Sequence, residues 1–132
     1  QVVKEKLVEI KDGHYKEWYP GKKQLKYEGE LSEKGAREGK WNYYSEKGNL
    51  QSFTFYVAGK KNGHSIVKYP NGKIHYYGQY KDDQMVGEWV TYDEKGNKTV
   101  NNFNFIISVF CQFFHVLFLD SNRTFIFFYT AA

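Results

Sequence analysis

The sequence predicts an all-β protein in which tandem antiparallel β-hairpin repeats stack into an elongated, twisted sheet. Three observations support this fold class. A glycine-led segment occurs four times, starting at Gly13, Gly39, Gly63 and Gly87, so the copies follow one another at a nearly constant period. Aromatic residues make up 20% of the 132 residues, which suits strands that are half buried. Twelve glycines and two prolines are typical of many short turns rather than long helices.

The repeat is clearest in the second and fourth copies, which share the pattern Gly-x-Trp-x-x-Tyr from residues 39 and 87. In the last three copies a second glycine lies nine residues after the first, whereas the first copy is one residue out of step. The positions that define the repeat, which we expect to be structural, are Gly13, Gly39, Trp41, Tyr44, Gly48, Gly63, Tyr69, Gly72, Gly87, Trp89, Tyr92 and Gly96.

Each copy reads as strand, tight turn, strand and loose turn. Asn71 and Gly72 predict a tight hairpin turn in which both residues have positive φ. Gly48 and Gly96 stand where a left-handed residue and a bulge are expected. The second strands are predicted at 25–31, 50–56 and 74–80. The loose turns that follow them are predicted at 32–38, 57–62 and 81–86.

The N-terminal segment 1–12 is interpreted as a partial repeat, since residues 6–12 look like the second strand of an earlier copy. The hairpin repeats are then expected over 13–99. The third copy departs from the pattern at two positions. Ser65 stands where other copies have an aromatic residue, and Thr54 replaces a mid-strand glycine. These departures weaken the match of that copy without breaking the period.

Alternation along a strand predicts two columns of side chains on opposite faces of the sheet. The first column forms a thin aromatic core and consists of Tyr15, Trp41, Ser65 and Trp89. The second consists of Trp18, Tyr44, Lys68 and Tyr92. Two interpretations of the second column remain open: its rings pack between strands and shield the sheet, or they line a partner-binding face.

The pattern Gly-x-Trp-x-x-Tyr, a turn of the Pro-Asn-Gly-Lys type, and then Tyr-x-Gly-x-Tyr together resemble the MORN repeat. The resemblance covers about residues 6–98 and is greatest to a variant common in bacterial proteins, some of which belong to toxin–antitoxin gene pairs. It implies a repeat scaffold that mediates protein–protein interaction. Two alternatives follow from it: an antitoxin or immunity protein that neutralises a toxin, and a peripheral membrane-tethering module that contacts anionic lipid.

The sequence offers little for catalysis, metal binding or nucleic-acid binding. His14 and His64 occupy a repeat position that Lys40 and Glu88 fill in other copies, which is typical of a solvated position. The net charge of +4 is not gathered into a basic stripe, so no nucleic-acid partner is expected. A single cysteine, Cys111, excludes an internal disulfide framework. We therefore predict no enzyme activity, no cofactor and no metal site.

The composition changes near residue 100. Nine of the eleven phenylalanines lie beyond this point, where only Asp120 and Arg123 carry charge. This apolar tail, 100–132, has three interpretations: a folded hairpin cap, a membrane anchor, or a non-native translated tail. At the other end, the chain starts at Gln1 without an apolar leader, which predicts a processed or trimmed N-terminus. The compartment then stays open between the bacterial cytoplasm and the cell envelope.

Overall fold

The computed structural model describes residues 5–103, which form one open sheet of nine antiparallel strands. Each strand pairs with the strands that precede and follow it in the chain, so the predicted all-β fold of stacked hairpins is confirmed. The strands are β1 Val8–Lys11, β2 His14–Trp18, β3 Leu25–Leu31, β4 Arg37–Tyr44, β5 Leu50–Val57, β6 Lys60–Lys68, β7 Ile74–Lys81, β8 Gln84–Tyr92 and β9 Lys98–Phe103. Within residues 5–103 there is no helix that could span a membrane.

At one end of the strands, the turns that join them contain a left-handed glycine. The N–H of Ser45 donates to the carbonyl of Asn49 at 2.9 Å, and the N–H of Gly48 donates back to Ser45 at 2.9 Å. Gly48 has φ of 85°, which gives the predicted left-handed residue of a G1 bulge. The turns at 69–73 and 93–97 repeat this pattern. The prediction of positive φ at Asn71 is wrong, because this longer turn needs a left-handed residue only at Gly72.

The turn between β2 and β3, the first at this end of the strands, explains why the glycine spacing of the first copy differs from that of the others. The N–H of Tyr19 bonds to the carbonyl of Gln24, so the turn holds one more residue than its equivalents. Two successive residues of this turn, Gly21 and Lys22, are left-handed, with φ of 87° and 52°, whereas each of the equivalent turns has one.

At the other end of the strands, two of the turns predicted to be loose are tight. Ala58 and Gly59 both have positive φ, as do Asp82 and Asp83, which is the signature of two-residue type I′ turns. The polar residues around them belong to strands β5 to β8. The bounds of these turns were predicted too wide, because the polar residues at solvated strand ends were assigned to the turns. Gly13 also lies in a tight turn, between β1 and β2, unlike the later repeat glycines.

The repeat glycines Gly39, Gly63 and Gly87 lie in bulges inside strands and have φ of 62°, 113° and 65°. At each bulge three residues oppose one on the preceding strand. Residues 39–41 lie opposite Gly29, residues 87–89 opposite Gly78, and residues 62–64 opposite Phe55. The third copy therefore places its bulge one residue earlier than the second and fourth copies.

The core is thin, as a single layer of sheet requires. Among residues 5–103 the buried apolar side chains are Trp41, Trp89 and Val90, and Ser65 is buried with them. The ladder continues through β9 to Phe103, so the sheet extends past residue 99, where the repeats were expected to end. The rest of the phenylalanine-rich tail, 104–132, and the first four residues lie outside the described part of the chain.

Candidate partner-binding face

The face of the sheet that carries the indole rings is here called the tryptophan face, and it is built on a repeated contact. The ring of Trp41 lies directly over Gly29 on the preceding strand. A Cβ atom added at Gly29 would lie only 2.4 Å from this ring. The indole Nε1 donates to the carbonyl of Glu30 at 3.0 Å. The ring is therefore fixed by contact with bare backbone and by a hydrogen bond to the next carbonyl.

The fourth copy repeats this arrangement two hairpins further along the sheet. Trp89 lies over Gly78, where an added Cβ atom would come within 2.3 Å of the ring. Its Nε1 donates to the carbonyl of Gln79 at 3.0 Å. The mid-strand glycine of the repeat thus makes room for the tryptophan of the next strand.

The third copy lacks both members of this contact, and the two departures seen in the sequence form one matched pair. Thr54 and Ser65 are directly opposite each other on β5 and β6. Their hydroxyl oxygens are 2.7 Å apart, and the Ser65 hydroxyl also donates to the carbonyl of Phe53 at 3.3 Å. Where the indole is absent, the glycine is no longer needed, and a pair of hydroxyl groups occupies the position.

Half-buried tyrosines surround each indole on the tryptophan face. The ring of Tyr15 lies 5.1 Å from that of Trp41, centroid to centroid, and Tyr56 meets the same indole edge-on at 6.4 Å. Around Trp89 the corresponding distances are 4.8 Å to Tyr80 and 6.1 Å to Tyr76. Since the indoles are buried and the tyrosines only half buried, the tyrosine rings form the accessible part of this surface.

Two cations lie over these rings at the same repeat position in successive hairpins. The guanidinium carbon of Arg37 is 4.3 Å from the Trp41 ring centroid and 5.3 Å from that of Tyr56. Arg37 also donates from Nη1 to the Tyr56 hydroxyl at 3.2 Å. Lys61 places its Nζ 4.8 Å from the Tyr80 ring centroid. Within residues 5–103 neither cation forms an ion pair.

The predicted second column lies on the opposite face. Trp18, Tyr44, Lys68 and Tyr92 each end the first strand of a hairpin, and all four are half buried. Among the described residues, no ring contact joins the three aromatic members of this column. Tyr44 donates its hydroxyl proton to the carboxylate of Glu28. Burial and this hydrogen bond raise the pKa of Tyr44 to about 12.

Tyrosines in alternate turns join neighbouring hairpins to each other. The hydroxyl of Tyr19 donates to the carbonyl of Tyr44 at 2.8 Å, and the hydroxyl of Tyr69 donates to that of Tyr92 at 2.8 Å. The intervening turns have a short side chain at this position. Asp93, for example, accepts the N–H of Asn97 at 2.8 Å within its own turn. These hydrogen bonds thus link the hairpins in pairs at this end of the strands.

The described residues do not bring together a cluster of side chains suited to metal binding. No cluster of three His, Cys, Asp or Glu side chains within residues 5–103 could hold a metal ion. Nδ1 of His14 lies 3.6 Å from the Glu30 carboxylate, and both side chains are exposed. His75 stacks on Tyr69 with 4.3 Å between ring centroids. His14 is therefore a surface residue, and His75 packs against a tyrosine ring.

The depressions on this part of the molecule are open to solvent, and one of about 430 Å³ beside β1 and β2 is lined by exposed side chains such as Glu9, Lys11 and Asp12. A depression of about 190 Å³ on the opposite face is lined by charges of both signs, among them Lys16, Glu28 and Lys40. The tryptophan face has a smaller depression of about 50 Å³, bordered by Arg37 and Tyr56. Shapes of this kind suit contact with a surface better than enclosure of a small molecule.

Sequence reasoning did not identify Arg37 and Lys61 as candidate site residues. It treated Lys61 as a turn lysine, whereas the structure places it inside β6. A signal was available, because both cations stand two residues before a repeat glycine. A comparison with protein-family models gives no match to this chain, and a search of curated proteins gives none either.

Proposed function

We propose that this protein is a non-enzymatic scaffold that binds a protein partner, as the resemblance to MORN repeats implies, and that it does so through the tryptophan face rather than through the second column of Trp18, Tyr44, Lys68 and Tyr92. The observation that carries the proposal is the row of half-buried tyrosines around Trp41 and Trp89, with unpaired cations above them. The few residues that dominate the binding energy of protein interfaces are enriched in tyrosine, tryptophan and arginine. They do so because a large rigid ring buries much area at a small entropic cost.

The rigidity of this surface supports the proposal. The indoles are fixed against glycine backbone and by Nε1 hydrogen bonds, and the tyrosines pack on the indoles. A partner that binds here has few side chains to immobilise, so little of the interaction energy is lost to ordering. An antitoxin that covers the surface of a toxin would use the same face, with the toxin as the partner.

Capture from cells of the native host would test this proposal, with the full-length protein as bait and mass spectrometry as the readout. The tryptophan-face variant is Tyr56→Ala/Tyr80→Ala, and the matched opposite-face variant is Trp18→Ala/Tyr92→Ala. Circular dichroism and a thermal melt would show that both variants remain folded. We expect the wild type and the opposite-face variant to retain the same partner, and the tryptophan-face variant to lose at least nine tenths of it.

The reverse pattern would place binding on the predicted second column and remove the assignment to the tryptophan face. If the wild type captures no protein, the scaffold proposal fails. A captured toxin whose activity the protein inhibits would establish the antitoxin form of the proposal.

A further inference from the structure

The two faces of the sheet differ in the side chains that border their cations. On the tryptophan face Glu17 accepts a hydrogen bond from Lys26 at 2.9 Å, which neutralises both charges. Neither Arg37 nor Lys61 forms an ion pair among residues 5–103. The register places Arg37 opposite Leu31 and Lys61 opposite Tyr56, neither of which is acidic. On the other side of Lys61, the Asp83 carboxylate accepts the backbone N–H of Lys61 at 2.8 Å, while the Lys61 ammonium lies over the Tyr80 ring.

The opposite face instead mixes cations with acids. The register places Lys16 opposite Glu28 between β2 and β3, and Asn42 opposite Glu28 between β3 and β4. Lys40 lies 4.4 Å from the ring centroid of Phe53 in a contact like that of Lys61 with Tyr80. Lys16 and Lys40 form no ion pair among residues 5–103 either, but Glu28 and Glu30 border the same depression as these two lysines. The opposite face therefore supplies a control in which cations lie among acids.

Arg37 is oriented in advance for an anionic group. Its guanidinium is held by the two rings beneath it, and one of its nitrogens, Nη1, is fixed by the Tyr56 hydroxyl. A guanidinium has five N–H donors, so the remaining donors are available in a fixed plane. A planar fork of this kind matches a carboxylate, which it binds through two parallel hydrogen bonds.

Lys61 repeats the position of Arg37 one hairpin later. Neighbouring strands lie about 4.8 Å apart, so equivalent positions in successive hairpins are about 10 Å apart. A peptide in polyproline II conformation advances about 3.1 Å per residue and completes one turn every three residues, so acidic side chains three positions apart point to the same side and are about 9 Å apart. The rings of Tyr56 and Tyr80 lie beside the two cations and would contact the side chains between the acids.

We propose that the tryptophan face binds an acidic polypeptide segment in polyproline II conformation, with one carboxylate on Arg37 and a second on Lys61. The proposal rests on the protein-binding function above and specifies the chemistry of the partner. A polypeptide fits better than a membrane or a nucleic acid. Binding to anionic membranes is typical of clusters of four to eight basic residues, and nucleic acids require neutralisation of many phosphates.

A selection from a library of random decapeptides, displayed on phage, tests the proposal on the immobilised full-length protein. We expect enriched peptides to carry two Asp or Glu residues three positions apart, with apolar residues between or beside them. The Arg37→Gln/Lys61→Gln variant should not enrich this pattern. The matched control Lys16→Gln/Lys40→Gln, which removes the same charge from the opposite face, should enrich it as the wild type does.

Fluorescence anisotropy with the most enriched peptide then measures affinity. We expect the dissociation constant to rise at least tenfold in Arg37→Gln, and also when both acids of the peptide are replaced by their amides. Lys40→Gln should change it less than twofold. Enrichment of peptides without paired acids, no enrichment, or equal losses in Lys40→Gln would overturn the proposal.

The outcome is separable from that of the proposed function. A captured protein partner whose binding is unaffected by Arg37→Gln/Lys61→Gln would leave the scaffold intact and overturn the acidic-segment inference. Vesicles of phosphatidylcholine mixed with phosphatidylserine are the lipid control. Cosedimentation that is lost in Arg37→Gln/Lys61→Gln would assign these cations to a membrane and would also overturn it.

Discussion

The indole of Trp89 rests directly on the backbone of Gly78, and the two residues cannot be varied independently. An added Cβ atom at Gly78 would lie 2.3 Å from the ring, far inside normal van der Waals contact. The same holds for Trp41 and Gly29. Thr54 and Ser65 show the other stable solution at this place, in which both residues change and their hydroxyl groups bond. The repeat is therefore defined by a contact between adjacent strands rather than by single positions.

The first prediction concerns this contact. Gly78→Ala should lower the free energy of unfolding by about 1–3 kcal/mol, because the new methyl group overpacks the indole. In a Trp89→Ser background the same substitution should be neutral or stabilising, because alanine costs less conformational entropy than glycine within a strand. Urea unfolding of the four proteins gives the coupling energy directly. Equal costs in both backgrounds would mean that the indole does not constrain Gly78.

The second prediction concerns the hydrogen bonds that join hairpins in pairs. Tyr69→Phe should cost about 1 kcal/mol of stability, because the carbonyl of Tyr92 loses the hydroxyl that it accepts at 2.8 Å. The matched control is Tyr76→Phe, since no described residue hydrogen-bonds to the Tyr76 hydroxyl. Thermal melts of the two variants should differ by several degrees. Similar melting temperatures would show that the Tyr69 hydroxyl contributes nothing to the pairing of hairpins.

The third prediction is a stabilising substitution. Ala58 has φ of 49° at the first position of a type I′ turn, a conformation that asparagine adopts more readily than alanine. Ala58→Asn should raise the free energy of unfolding by about 0.5–1 kcal/mol. Its N–H would continue to donate to the Glu38 carboxylate at 2.8 Å. Ala36→Asn is the control, because Ala36 is not left-handed. A melting temperature that rises in both variants would refute the turn argument.

The fourth prediction is a pH dependence. Burial, followed by the hydrogen bond to Glu28, raises the pKa of Tyr44 from its ordinary value of 10.0 to about 12. The unfolded chain therefore loses this proton at lower pH than the folded protein does. The stability that Tyr44 contributes is present in full below pH 10 and is lost as the pH rises through about 12.

Urea midpoints at pH 8 and pH 11 test this sign. The wild type should lose more stability between the two pH values than Tyr44→Phe, which has no phenol proton at this position. Glu28→Gln should lie between them, because burial still acts on the phenol after the carboxylate is removed. Identical losses in the wild type and Tyr44→Phe would mean that the Tyr44 phenol titrates alike in the folded and unfolded chains.

Much of the fold could be predicted because it depends on local chemistry. Gly48 and Gly96 were expected to be left-handed and are, with φ of 85° and 91°. The tight turns at 58–59 and 82–83 were not predicted, because Ala58 and Asp83 stand where asparagine and glycine are usual. They adopt this conformation because the neighbouring strands fix the register, and Glu38 and Asp83 accept N–H groups at these turns.

The candidate site was less predictable than the fold. The sequence by itself determined the period, the pairing of consecutive strands and the inward position of Trp41 and Trp89, because alternation and turn chemistry act within a few residues. Only the tertiary structure decided that Thr54 and Ser65 form a matched pair, and that Arg37 and Lys61 lie over rings from other strands. These relationships depend on which residues of adjacent strands come opposite each other. That register is set by mid-strand bulges, whose position depends on packing between strands.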